Sequence, residues 1–412
     1  MPTDPTEVEI ALSAGAVSRA HRLSAPARDV GHHARHNRQV DRLLIVTAFA
    51  STGGGAERWL LGILREPALR NAGWVVDAIV MQDGPLVELL MAERVTTITM
   101  PIPASPIGIM RRVPALRRAI LARGPDVVVS NGVKAQLAVS AALAGSGIPS
   151  IWVKHDHSYD ALLGRPLGRA ASLVVPTALE VGLPTGRRDL IVIEPPRPEP
   201  PLSSEDARAQ LSALGWHSTR RLTLGMITRL VPYKGVDLAI EALADRRNDE
   251  WELVVIGGND PSTPHEAERL ADLAQRLGVT DRLFLAGEIN GAGRLLKAMD
   301  AVAVLTRPGQ QGAPTKEGYG IVASEAMTAG VPVVVAQAGP ITRRLATPEG
   351  PAGLTLSSPD AAALSDALCA LCDDTIRAEM GRRGLAVSES MPTQAEVAQQ
   401  FTETVIMARN LR

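Results

Sequence analysis

The apolar positions of this chain fall into short β-branched runs that alternate with helix-length segments, and the pattern occurs twice. Residues 43–47 form the first run, and a helical stretch over 56–65 follows. Further runs at 74–81, 95–99, 126–130, 150–154 and 172–175 predict strands. After residue 201 the alternation restarts, with strands at 222–228, 251–256, 282–286, 301–305 and 332–336 and helices at 236–244, 264–277, 293–299 and 318–329. Such alternation predicts parallel βαβ units. The runs are apolar throughout rather than at every second position, so helices cover each sheet on both faces, as in a doubly wound α/β fold.

Between the halves, residues 194–201 read Glu-Pro-Pro-Arg-Pro-Glu-Pro-Pro, five prolines in eight positions. Proline removes a backbone donor and fixes φ, so this segment is neither helix nor central strand and reads as a semi-rigid linker. The expected organisation is a flexible extension over 1–40, a first domain over 41–200 with the proline-rich hinge at its end, a second domain over 201–390, and a closing helix over 391–412. His21, His32, His33 and His36 lie in the arginine-rich extension without periodicity and read as a solvated tail rather than a metal site.

Composition narrows the function classes. The 43 Lys+Arg and 44 Asp+Glu leave a net charge of −1, which gives no global attraction to nucleic acid, and eleven aromatic residues are too few for base-stacking platforms. Cys369 and Cys372, the only cysteines, lie at the end of an Ala/Leu-rich helix with no further ligand nearby, so core packing is expected. No apolar run reaches transmembrane length, and acidic residues precede the first apolar stretch where a secretory signal needs basic ones. A cytoplasmic enzyme is expected, without nucleic-acid partner or membrane span.

Ligands of doubly wound sheets bind outside the carboxyl ends of the strands, so the strand-to-helix loops carry the chemistry. In the first, Gly53, Gly54 and Gly55 permit close backbone approach, and the helix start behind them offers free N–H groups to a phosphate; the spacing is that of neither a dinucleotide fingerprint nor a P-loop. The second, Lys154 to Asp160, crowds titratable groups, His155 and His157 among them, at a strand end. In the third, Arg229 precedes a Pro-Tyr-Lys-Gly turn that contains Lys234 and leads into a helix, a cation pair suited to a diphosphate. The fourth is the most specific. Glu317 and Glu325 bracket Gly318-Tyr319-Gly320-Ile321-Val322, and carboxylates accept paired hydrogen bonds from vicinal hydroxyls while the N–H groups of Gly320 to Val322 suit a phosphate.

The segment from Glu317 to Glu325, continuing into Gly330-Val331-Pro332-Val333-Val334, resembles the paired-glutamate motif of the retaining glycosyltransferases of family four (glycosyl transferases group 1), which have the GT-B fold. The Arg229/Lys234 turn and the Gly53–Glu57 loop match the same family in order and separation, and the resemblance spans about residues 42–390. It implies two Rossmann-like doubly wound domains facing across a cleft, the first for the acceptor and the second for a nucleotide diphosphate sugar. By resemblance, Glu325 accepts the ribose hydroxyls, Glu317 binds the transferred sugar, and Arg229 and Lys234 neutralise the departing diphosphate. That would replace the divalent metal other transferases use, so neither cofactor nor metal is expected, the nucleotide sugar being a co-substrate. The backbone of Gly318 to Val322 would touch sugar or phosphate, Gly54 and Gly55 would approach the diphosphate or the acceptor, and Ile289 falls where the family holds the base. His155 aligns with the cleft histidine that contacts the donor sugar, with His157 as the alternative. The expected catalytic set is His155, Arg229, Lys234 and Glu317.

The chain departs from the family in two places. Glu194-Pro195-Pro196 replaces the usual Asn-Gly turn, and residues 307–316 lengthen the approach to Glu317. Residues 101–109 fall in the acceptor region and precede Arg111, Arg112, Arg117 and Arg118, which read as a solvated helix face or, alternatively, a peripheral membrane contact. The competing functions are a nucleotide-sugar 2-epimerase of the same architecture and a noncatalytic nucleotide-sugar-binding protein. Acceptor identity, donor base and oligomeric state leave no signature.

Overall fold

The computed structural model describes residues 40–50, 54–307, 317–336 and 339–411. The expected extension over 1–40 lies almost wholly outside the described residues, as do Gly53 and most of the 307–316 insertion.

Among the described residues two six-stranded parallel sheets stand beside one small two-stranded antiparallel pair. The first contains β1 (Asp41–Thr47), β2 (Trp74–Val80), β3 (Thr96–Thr99), β4 (Val127–Asn131), β5 (Ser150–Lys154) and β6 (Leu173–Pro176), in the order β3-β2-β1-β4-β5-β6. The second contains β7 (Leu222–Ile227), β8 (Trp251–Ile256), β9 (Leu283–Leu285), β10 (Ala301–Val304), β11 (Val333–Val335) and, after the two-residue strands β12 (Ala346–Thr347) and β13 (Gly350–Pro351), β14 (Gly353–Thr355). Its order, β14-β11-β10-β7-β8-β9, is the same winding read from the other edge. Each sheet thus has one switch point, between β1 and β4 and between β7 and β10, where the strand order reverses and loops diverge to open a crevice.

Helices cover both faces of each sheet, and this is why the strands read as unbroken apolar runs. In the first domain Leu43 and Ile45 pack toward the Gly55–Arg65 helix, while Leu44 and Val46 pack toward the Pro106–Arg123 and Val133–Leu143 helices. In the second, Leu224 and Leu253 face the Val236–Leu243 helix, while Val254 and Val302 face the Ile321–Ala329 helix. Cys369 and Cys372 are free thiols at the margin of this core, where Trp251 Nε1 donates to Cys372 Sγ at 3.4 Å.

Several elements differ from the sequence expectation. The helix expected over 293–299 is a 3₁₀ run, Ala292–Ala298, and the helix expected from 318 begins at Ile321 because Gly320 holds φ +79° and keeps the preceding residues in a turn. The closing helix, expected over 391–412, is Gln394–Arg409, and its Val397, Phe401, Val405 and Ala408 complete the core of the first domain. The chain therefore crosses between domains twice, once from Ile193 in the first core to Leu202 against the second, and again at Ser390–Thr393. The two crossings touch, with the Arg197 amide donating to the Pro392 carbonyl at 2.7 Å. They border a cavity of about 720 Å³ lined by Glu194, Arg197, Met391 and Glu396.

Candidate active site

The second domain places its polar groups at its switch point. Lys234, on the turn after β7, reaches the loop after β10, where its Nζ lies 2.7 Å from Glu317 Oε2 and 3.1 Å from Thr306 Oγ1. Thr306 donates to the same carboxylate oxygen at 2.5 Å. Burial pushes the Glu317 carboxyl up, but the Lys234 ammonium, the two hydrogen bonds and Arg229 together outweigh it and hold the group below the usual glutamate value. Glu317 is thus a fixed anion tied to a fixed cation. Arg229 points elsewhere: Nη1 pairs with Asp260 and Nη2 donates to Tyr233 OH at 3.0 Å. The two cations expected to act together therefore have separate carboxylate partners here.

The glycine turn is held from below by Arg344. Its guanidinium lies 3.8 Å from the Tyr319 ring centroid, donates to Ser324 Oγ at 2.7 Å and also bonds the Tyr319 carbonyl. A Cβ at Gly320 would overlap Ile341, so the turn needs glycine for space as well as for φ. Glu325 sits within the Ile321–Ala329 helix, only 8% exposed, against Gly293. Burial raises its pKa, and the opposing cation is Arg58, whose Nη1 lies 3.1 Å from Oε1. Glu317 and Glu325 thus have different partners in different parts of the site. Ile289 follows β9 and packs half-buried against the core beneath that helix.

Arg58 belongs to the first domain, and four further contacts cross the cleft with it. Gly55 abuts Ile321, Gly318 abuts the His155 carbonyl so closely that a Cβ would overlap it, Glu180 pairs with Arg343, and Tyr319 OH lies 3.4 Å from Glu194 Oε2 on the linker. Tyr319 and Ile321 also pack on Ala178 and Val181. The structure brings together residues from the glycine loop, the histidine loop and the paired-glutamate segment.

The two histidines separate cleanly. His155 Nε2 lies 2.6 Å from Asn131 Oδ1, and its ring meets Trp59 edge-on at 5.4 Å. Because Asn131 Nδ2 donates to Thr47, its oxygen faces the imidazole and Nε2 carries the proton. Burial lowers the His155 pKa to about 4, so the ring is neutral at physiological pH. His157 instead turns to Asp160, with Nδ1 at 2.8 Å from Oδ2, and the fully buried Lys154 pairs with the other oxygen at 2.6 Å.

Asn131, Thr306, Asp260, Arg58 and Arg344 were not singled out from sequence as site residues. Asn131 and Thr306 stand where β4 and β10 end, so the switch-point rule applied to every strand would have found them; the other three have no such signal. Arg117 is used within the fold, donating to the Ala142 and Ala144 carbonyls, whereas Arg111, Arg112 and Arg118 are exposed. Among the described residues no cluster of three or more His, Cys, Asp or Glu side chains is arranged for a metal ion, and no helix is long and apolar enough to cross a membrane.

Comparison with known proteins bears on this geometry. Residues 215–385 match the model of the family described as glycosyl transferases group 1, and residues 54–180 match a glycosyl transferase 4-like domain. A D-inositol 3-phosphate glycosyltransferase of Acidothermus cellulolyticus is 34% identical over 166 residues, which are 39% of this chain and 35% of that protein. A GDP-mannose-dependent monoacylated alpha-(1-6)-phosphatidylinositol monomannoside mannosyltransferase of Corynebacterium glutamicum is 36% identical over 197 residues, 46% of this chain and 48% of that one. The chain thus spans half or less of these relatives. The crystal structure of Anabaena Alr3699/HepE in complex with UDP-glucose has the same fold, with a TM-score of 0.71 over 88% of this chain and 99% of that chain at 22% identity.

Proposed function

Starting from a chain that belongs to the group 1 glycosyltransferases of GT-B fold, we propose that it moves a sugar from a nucleoside diphosphate sugar to an acceptor hydroxyl with retention at the anomeric carbon and without a metal ion. The observation that carries this reading is the Lys234–Thr306–Glu317 cluster at the β7/β10 switch point. In glycosyl transfer the diphosphate gains charge as the bond to the anomeric carbon breaks, and a prepositioned cation lowers that barrier without reorganising. Lys234 is held in place by Glu317 and Thr306. Arg229, with its side chain 62% exposed, adds a second cation on the same loop. Retention follows if the acceptor oxygen attacks the face from which the diphosphate leaves, its proton passing to a departing phosphate oxygen.

In this reading Glu317 binds hydroxyls of the sugar, Glu325 takes the ribose, the backbone from Gly318 to Val322 lines the donor, Ile289 flanks the base, and neutral His155 contacts the sugar. The mannosyltransferase named for GDP-mannose and the HepE structure with UDP-glucose set the first donors to try. Thermal stabilisation by UDP, GDP, TDP, ADP and NAD, with chelator present, tests it. A nucleoside diphosphate at one hundred times its Kd stabilises by about 2.7 kcal/mol. One of the four is expected to stabilise the protein selectively; stabilisation by NAD alone, strict dependence of turnover on added divalent metal, or an epimerised donor formed without acceptor overturns the reading.

A further inference from the structure

Two arginines follow one another in the last turn of the Pro340–Leu345 helix, an end that favours a cation. Arg343 pairs with Glu180 across the cleft, whereas Arg344 turns inward, and among the described residues no carboxylate is within ion-pair distance of it. Its Nη1 donates to Ser324 Oγ at 2.7 Å, its Nη2 bonds the Tyr319 carbonyl, and its Nε is buried with no hydrogen-bond partner. The guanidinium lies 3.8 Å from the centre of the Tyr319 ring, and Nη2 is 3.6 Å from the position a Cβ would take on Gly320. Glu194, the carboxylate that bears on it, ends on the Tyr319 hydroxyl at 3.4 Å instead. Each partner in contact is neutral, so the charge is solvated by hydrogen bonds but not cancelled.

That charge stands beside the start of the Ile321–Ala329 helix, whose N-cap is Gly320. The positive end of a helix dipole repels a cation, and burial lowers the Arg344 pKa, with Tyr319 and Glu194 acting against it. An anion over the turn reverses that balance, because the helix end and the guanidinium attract it together. The first hydrogen bond of the helix runs from the Ser324 amide to the Gly320 carbonyl at 3.2 Å, so the N–H groups of Ile321 to Ala323 have no partner within it. In a helix one residue longer the Ala323 amide would donate to the Tyr319 carbonyl. Arg344 bonds that carbonyl and fixes the turn in its place. Resting on the transferase reading above, we propose that Arg344 is a positioning residue for the donor's diphosphate, holding the Gly318–Val322 turn so that its free N–H groups face the phosphates and adding its uncancelled charge to the field they meet.

Calorimetric titration of wild type, Arg344→Met and Arg344→Lys with UDP and GDP, and displacement of each nucleotide by uridine or guanosine, separates a role toward phosphate from support of the fold. The expected result is a Kd for the preferred nucleotide at least about tenfold weaker in Arg344→Met, a Kd for the matching nucleoside within about twofold of wild type, and partial recovery of the nucleotide in Arg344→Lys, which keeps the charge but not the planar fork. Should Arg344→Met fail to fold, Ser324→Ala removes the hydroxyl and leaves the arginine; a loss of about threefold toward the nucleotide, and none toward the nucleoside, is expected. Equal weakening of nucleotide and nucleoside would reduce Arg344 to a support of the fold and overturn the proposal. An unchanged nucleotide Kd in folded Arg344→Met would overturn it too. Wild-type protein that binds neither nucleotide would instead defeat the transferase reading beneath it.

Discussion

At the scale of single residues, the candidate site consists of charges paired in advance. Lys234 is held by Glu317 and Thr306, so under the proposed function a diphosphate would meet a cation whose position is already fixed. Lys234→Ala and Glu325→Ala are each expected to reduce turnover at least about 100-fold, measured as initial rate at saturating donor; near-normal rates in both would refute the assignment. His155 gives a prediction of opposite character. Its pKa lies near 4 in the folded protein and near 6.5 unfolded, so its neutral form stabilises the fold fully above pH 6.5. That contribution declines as pH falls toward 4 and amounts to about 3 kcal/mol at most. Urea unfolding at about pH 7.5 and pH 4.5 should therefore show a smaller pH-dependent loss in His155→Gln than in wild type. Sequence made the candidate residue types visible because they crowd the ends of apolar runs. It did not reveal their partners: Arg58 and Glu325 are 267 positions apart, and nothing local couples them.

Secondary-structure elements were legible wherever burial on both sides made the run apolar, as in β1, β4 and β8. The signal failed where packing overrode periodicity. The run Ala292–Ala298 has helical spacing yet is 3₁₀, and its Gly293 lies against Glu325 where a Cβ would overlap the carboxylate. The destination of the closing helix was equally hidden, because an apolar stripe states that a face is buried but not against what. Phe401 stands on that stripe, fully buried and edge-on to Trp59 at 5.5 Å. Phe401→Ala should cost roughly 3–5 kcal/mol in denaturant unfolding. If the domains unfold separately, the loss will appear in the transition of the first domain, although residue 401 lies beyond the second in sequence.

At the scale of the whole molecule, the two sheets present their switch points to one cleft, and the contacts across it depend on residues too small to keep the halves apart. Gly318 is the tightest, resting on the His155 carbonyl. Gly318→Val is expected to hold the cleft open, weakening nucleoside diphosphate binding at least about tenfold in calorimetry and enlarging the radius of gyration in X-ray scattering. An unchanged affinity would mean that donor binding does not need this contact. The double crossing has a consequence for biosynthesis. A ribosome delivers the first sheet early, but the helix that seals one of its faces is translated roughly 200 residues later, an interval on the order of ten to forty seconds at 5–20 residues per second. During that time the apolar surface around Trp59 and Ile63 awaits its cover, so a chain truncated before residue 394 is expected to carry an exposed core in its first domain rather than to be a shorter version of the same fold.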